Sequence, residues 1–212
     1  MMLDFHTHDL KPNSVFNLII GKDQVPESGY FTAGIHPWFF ENIEQQFAEL
    51  KQISQHKKCI AIGECGLDKL KGADIKIQIE VFKNHLQLAE TMSKPLIIHC
   101  VKAHNDLLEI KKKSGSTMPW VVHGFNQNPT IALRLIDHGF YFSLGKSLLH
   151  TESNSCKVLN QIPPERLFLE TDSADVTIEE VYKAASERLQ LPLQQLVANL
   201  QDNFRILFKI ND

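Results

Sequence analysis

Short runs rich in β-branched and aromatic residues alternate along the chain with longer segments whose apolar positions recur at helical spacing. The short runs predict strands near residues 3–6, 15–20, 31–35, 59–64, 96–99, 120–123, 140–144 and 167–171. The longer segments predict helices near 41–55, 74–92, 103–113, 130–138, 152–159, 177–189 and 193–209. From the third strand onward the two alternate regularly, as they do in a parallel sheet covered by helices. Eight strands in that order predict an α/β fold of the (β/α)8 TIM-barrel class. No glycine-rich phosphate loop follows any strand, which disfavours an open nucleotide-binding sheet.

Length modifies this picture. The chain has 212 residues, against about 250 for an ordinary barrel of this class. The shortage lies at the front, where residues 7–14 and 21–30 are too few for crossover helices. The expectation is a shortened barrel lacking its first one or two outer helices. Apolar strand surface left open there would need a terminal helix or a second subunit, so a homo-oligomer is one possible partner. No repeat, linker or composition shift divides the chain, which predicts a single domain over 1–212.

Composition narrows the class. Hydrophobic residues make up 43% and charged residues 22%, which fits a globular domain and excludes disorder. The formal charge of −3 argues against coating nucleic acid by bulk electrostatics, though not against a local anion site. Cys59, Cys65, Cys100 and Cys156 form no C-x-x-C pair, which argues against a disulfide framework or a cysteine zinc site. No apolar run approaches the roughly 18–20 residues of a membrane span, and the first ten residues lack a signal-peptide pattern. The expected location is the cytoplasm, with no membrane partner.

The ten histidines carry the candidate chemistry. His6 and His8 form H-T-H at the first strand, and residues two apart on a strand share a face. His36, Glu64, His99, His123 and Asp172 fall at or just after other predicted strands. The steps from His6 to His36, Glu64, His99 and His123 are 30, 28, 35 and 24 residues, each about one βα unit. Such spacing would aim all of them at the barrel's C-terminal mouth, where active sites of this fold lie. Any one alone reads more simply as a buried, hydrogen-bonded side chain; the set reads as ligands for Zn, Mn, Fe, Ni or, with fewer histidines, Mg. Glu64 and Asp172 sit in apolar strands, where an unpaired carboxylate is costly. Two divalent ions would leave the centre positive and suited to an anionic group. Asp4, Glu170 and Asp175 are candidates for orienting the ligands, and Asp4 reads best as a structural hydrogen-bond partner. Lys69, Lys71, Lys102 and Lys146 follow strands and could hold substrate phosphates. His56, His85, His104, His138 and His150 read as solvent-facing or capping, Cys65 and Cys100 as inert thiols.

The motifs D-F-H-T-H at 4–8, G-I-H-P-W at 34–38, G-E-C-G-L-D at 63–68, P-L-I-I-H at 95–99, V-H-G-F at 122–125 and L-E-T-D at 169–172 resemble the TatD family of metal-dependent deoxyribonucleases. Gln78, Phe82 and N-F-R-I-L-F at 203–208 are softer matches. The resemblance implies a divalent-metal phosphodiesterase acting on DNA with two or more Mg2+, Mn2+ or Zn2+ ions. Carried over by motif, it implies His6, His8, Glu64, His99, His123 and Asp172 as metal ligands. Asp172 would also accept the proton of the attacking water, Glu64 would bridge metals, and His36 would face substrate. Three departures bear on the substrate rim: Val101 stands where the family usually has Arg, with Lys102 beside it; Asn126 and Gln127 replace small residues; Ser173-Ala174 replaces Ala-Pro. Hydrolysis of a small amide or ester at the same metals, or a degenerate metal-binding barrel with a scaffolding role, are the alternatives.

Overall fold

A computed structural model describes residues 1–210. The described residues form eight strands: β1 (Asp4–Thr7), β2 (Ser14–Ile19), β3 (Tyr30–Gly34), β4 (Cys59–Asp68), β5 (Leu96–Val101), β6 (Trp120–Val122), β7 (Tyr141–Leu144) and β8 (Leu167–Leu169). Seven α-helices follow from β3 onward: α1 (Ile43–Ile53), α2 (Ile75–Met92), α3 (His104–Ser114), α4 (Pro129–Asp137), α5 (Asn154–Val158), α6 (Ile178–Leu189) and α7 (Leu193–Phe208). The strands hydrogen-bond in chain order in one sheet. A parallel bridge from Thr7 to Asp172 joins β1 to the residues after β8. This is the (β/α)8 barrel class, and no helix separates β1 from β2 or β2 from β3 among the described residues. The shortened front is therefore as expected.

By contact density the chain divides into two compact units, residues 16–121 and residues 1–15 with 122–212. In the second of these, Phe5 on β1 stacks on Phe168 at 4.2 Å and on Phe208 of α7 at 5.9 Å. Tyr182 of α6 donates to the Leu3 carbonyl at 3.0 Å. A terminal helix thus covers β1, one of the two solutions the sequence left open. Residues 15–20 are all buried within the chain.

In the unit 16–121, α2 presents Gln78, Val81, Phe82, His85, Leu86, Leu88 and Ala89 to the interior, the spacing of one helical face. Asp74 caps its N-terminus by accepting from the Lys76 amide. The strand β4 runs four residues past its expected end at Glu64 and shows a register break between Ile62 and Cys65 against β5. A bulge of this kind re-aims the side chain it carries. Gly63 and Gly66 have φ of 141° and 147°, and a Cβ at either would overlap the Ile97 or His99 carbonyl. Only glycine lets β4 and β5 approach there. Among the described residues, no helix is long and apolar enough to cross a membrane.

Candidate metal centre

In the unit 16–121 the site is built around Glu64, which is 2% exposed. Its Oε1 lies 2.9 Å from His99 Nδ1 and 3.1 Å from His36 Nε2. Its Oε2 accepts from Asn17 Nδ2 at 2.9 Å, and the Glu64 amide donates to Asn17 Oδ1 at 2.9 Å. Thr32 Oγ1 donates to the same Asn17 oxygen. A carboxylate in an apolar strand is thereby compensated on both oxygens. One ligand atom from each of His36, Glu64 and His99 lies within 4.8 Å of the others.

The two histidines of this cluster present different atoms. His36 Nδ1 accepts from the Trp38 amide at 3.2 Å, so a neutral ring carries its proton on Nε2, facing Glu64. That makes His36 a donor. His99 Nε2 instead lies 3.1 Å from Asp68 Oδ2, which directs its Nδ1 at Glu64. Burial pulls the pKa of Asp68 upward, but bonds from His99, the Leu70 amide and Trp38 outweigh it and hold the carboxyl below its ordinary value. Trp38 lies edge-on to both His36 and His99, with Lys71 Nζ 3.6 Å above its ring.

In the other unit, His6, His8, His123 and Asp172 come together. His8 Nε2 lies 3.3 Å and His6 Nε2 3.9 Å from Asp172 Oδ1. The His6 and His123 rings stack at 4.2 Å. Ligand atoms of His6, His123 and Asp172 lie within 4.8 Å of one another. Asp172 has φ 53°, a left-handed conformation that Asp tolerates. Its amide donates to the His6 carbonyl at 2.9 Å, and its carbonyl accepts from Thr7 Oγ1 at 3.2 Å. Glu170 Oε1 accepts from the Gly124 amide at 2.6 Å and faces His123 Nδ1 at 3.4 Å, which leaves Nε2 of that ring for a ligand role. Asp4 accepts from both the amide and the hydroxyl of Thr171. Burial pushes its carboxyl up to about 6 against the pull of those bonds. Its structural role is as expected.

Lys146, Asn126, Ser147 and Ser173 line a cavity of about 240 Å3 whose wall includes Asp172. The other expected substrate lysines are placed differently. Lys69 Nζ is 2.5 Å from Asp106 Oδ2, so its charge is already engaged. Lys102 has φ 54° and stands near His104. That imidazole is pushed down to about 4 by burial, with the Lys102 charge adding to it. His85 and His104 are buried, not solvent-facing. His85 Nε2 accepts from the Ile35 amide at 3.0 Å and its Nδ1 donates to the Val81 carbonyl at 2.8 Å. Burial pushes it down to about 4. His56 and His150 are exposed and His138 is half-buried, while the Cys65 and Cys100 thiols are pushed up by burial, as expected of inert groups.

Asn17, Asp68 and His85 are the braces the sequence reading missed. Each had a signal: an Asn inside V-F-N-L-I-I, an Asp ending a glycine-bearing strand, and a His at the helical spacing of a buried face.

The donor set, imidazole and carboxylate in compact groups of three, fits Zn, Mn or Mg rather than a soft metal. A family model described as TatD related DNase matches residues 6–209. An uncharacterized metal-dependent hydrolase from Buchnera aphidicola is 34% identical over 154 residues, 68% of this chain and 58% of that protein. The chain thus spans under two thirds of that relative's length. The uncharacterized metal-dependent hydrolase YabD of Bacillus subtilis is 30% identical over 199 residues, 86% of this chain and 78% of that protein. The human 3'-5' RNA nuclease TATDN2 is 36% identical over 147 residues, 66% of this chain and 19% of that protein. The crystal structure of YJJV, a TatD homolog from Escherichia coli K12, superposes with a TM-score of 0.82 at 20% identity, over 99% of this chain and 98% of that one. That likeness speaks to the fold, and with it the family-wide match places this chain in the TatD related DNase family.

Proposed function

We propose that this TatD-type metal-dependent hydrolase cleaves phosphodiester bonds in a polynucleotide, with His6, His8, Glu64, His99, His123 and Asp172 as the residues that hold divalent ions. The observation that carries this reading is the gathering of histidines with a buried or half-buried carboxylate into compact groups of three ligand atoms. When bound, the metals supply an activated water and neutralise charge on the phosphoryl group. Asp172 accepts the proton from the attacking water, its carboxylate being held by a backbone fixed at both amide and carbonyl. His36 offers Nε2–H as a donor to a phosphate oxygen, and Lys146 supplies positive charge at the cavity beside Asp172. Lys102 is a further candidate for the substrate rim, and Lys69 contributes through its pairing with Asp106. The family match runs through both contact units, which supports one hydrolase domain over residues 1–212. Four free, scattered cysteines support a reducing compartment such as the cytoplasm.

DNA is the substrate the family description supports, and the RNA nuclease relative makes RNA the second polynucleotide to test. Purified protein stripped of metal is given end-labelled single- and double-stranded DNA and RNA, with Mg2+, Mn2+ or Zn2+ restored. Asp172→Asn and His99→Ala run in parallel to exclude a contaminating nuclease. The expected result is metal-dependent cleavage that falls by about a hundredfold or more in both variants, with folding intact. No cleavage by protein that demonstrably binds metal would transfer the reading to a small ester or amide, a substrate that Val101 at the usual Arg position would accommodate.

A further inference from the structure

We propose that Asp68 is a positioning residue that fixes the tautomer of His99, so that Nε2 keeps the proton and Nδ1 presents its lone pair as the metal ligand. The proposal rests on the metal-hydrolase reading above and assigns the ligand atom within it.

Four donors converge on the Asp68 carboxylate. Oδ1 accepts from the backbone amides of Leu70 at 2.8 Å and Lys71 at 3.1 Å. Oδ2 accepts from Trp38 Nε1 at 2.7 Å and faces His99 Nε2 at 3.1 Å. Both nitrogens face an acceptor-only carboxylate, and a cation seated at Glu64 would take the lone pair of the nearer nitrogen, Nδ1, so the neutral ring keeps its hydrogen on Nε2 toward Asp68. The opposite nitrogen, Nδ1, points at Glu64 Oε1 from 2.9 Å, where it joins Glu64 as a donor to a cation. The carboxylate is held in turn by Gln78, which accepts from the Asp68 amide at 2.7 Å and donates to its carbonyl at 2.9 Å. The side chain of Gln78 is wholly buried. A carboxylate–histidine–metal relay of this form raises ligand basicity and fixes ring orientation.

The arrangement makes Asp68→Asn informative. The amide oxygen of Asn is required by the two backbone N–H groups, which cannot turn away. Its NH2 then faces Trp38 and His99. Trp38 can rotate, but His99 must accept on Nε2 and carry its hydrogen on Nδ1, the wrong nitrogen for a ligand. A shape-conserving substitution therefore removes a ligand without touching it.

The test is Zn2+ affinity by chelator competition, with nitrogen-15 imidazole spectra of the zinc-loaded protein. Wild-type spectra are expected to show His99 metallated on Nδ1 and protonated on Nε2. Asp68→Asn should weaken Zn2+ binding about 10- to 100-fold while its circular dichroism spectrum stays that of wild type. Trp38→Phe removes one neighbour of the carboxylate but keeps its charge, and should retain wild-type affinity. Wild-type affinity in folded Asp68→Asn, an equal loss in Trp38→Phe, or metallation of His99 on Nε2 would each overturn the assignment while leaving the metal reading intact. Failure of the wild-type protein to bind any divalent ion would overturn both.

Discussion

At the scale of single residues, the site depends on side chains that hold the ligands in place. Asn17 spends both ends of its amide on Glu64, receiving the backbone N–H on Oδ1 and donating to Oε2 from Nδ2. Removing it strands a buried donor and a buried charged acceptor together, and each loss of that kind costs about 1–3 kcal/mol. Asn17→Ala is therefore expected to lower unfolding free energy by roughly 2–4 kcal/mol, measured by urea titration of the metal-free protein. Asn17→Asp is a sharper probe, because it sets a second carboxylate against Glu64. It should destabilise the metal-free protein at least as much as Ala, and added divalent metal should restore more stability to it than to wild type. Equal stability of all three proteins would show that Glu64 does not depend on this neighbour.

At the scale of elements, α2 ties the helical layer to the cluster through one imidazole. His85 accepts from the amide of Ile35, the residue before His36. Its folded value of about 4 lies below the ordinary 6.5, so folding favours the neutral ring. The unfolded chain binds the extra proton first as pH falls. The stability that His85 contributes is therefore complete above about pH 6.5 and drains away between about 6.5 and 4, by about 3 kcal/mol in total. The stability difference between wild type and His85→Gln, measured by denaturant midpoints across that range, should shrink as pH falls; a difference independent of pH would refute the buried neutral ring. Much of this layer was legible in the chain. The strand and helix alternation emerged from period alone, and His6, His36, His99 and His123 declared themselves by recurring once per βα unit. Glu64 stood out as a carboxylate in an apolar strand, yet it was placed at a strand end when it lies on a bulge inside β4. The bulge depends on Gly63 and Gly66 meeting β5, a long-range contact that local pattern does not encode. His85 was misread because its charge outweighed its position: it shares the helical face of Gln78, Phe82 and Ala89. Asn17 meets Glu64 across 47 residues and Asp68 meets His99 across 31, and no local rule connects either pair.

At the scale of the whole molecule, the proposed ligands fall in both contact units, Glu64 and His99 in residues 16–121 and His6, His8, His123 and Asp172 in the other. Two of the histidines have their own orienting acid, Asp68 for His99 and Glu170 for His123. Two divalent ions are the expected load of this ligand set. An ion that binds the folded chain alone stabilises it by about 2.7 kcal/mol at a hundredfold excess over its dissociation constant. For a chain of this length that corresponds to a rise in Tm of roughly 5–10 °C per ion. Metal analysis of dialysed wild-type protein is expected to give two equivalents, and His99→Ala and His123→Ala one each, with the thermal shift on adding metal falling by about half in either variant. The double variant should show neither bound metal nor a shift. If either single substitution abolished both ions, the ligands would have to act as one coupled centre, and the orienting acids would serve a single ion held in common rather than one ion apiece.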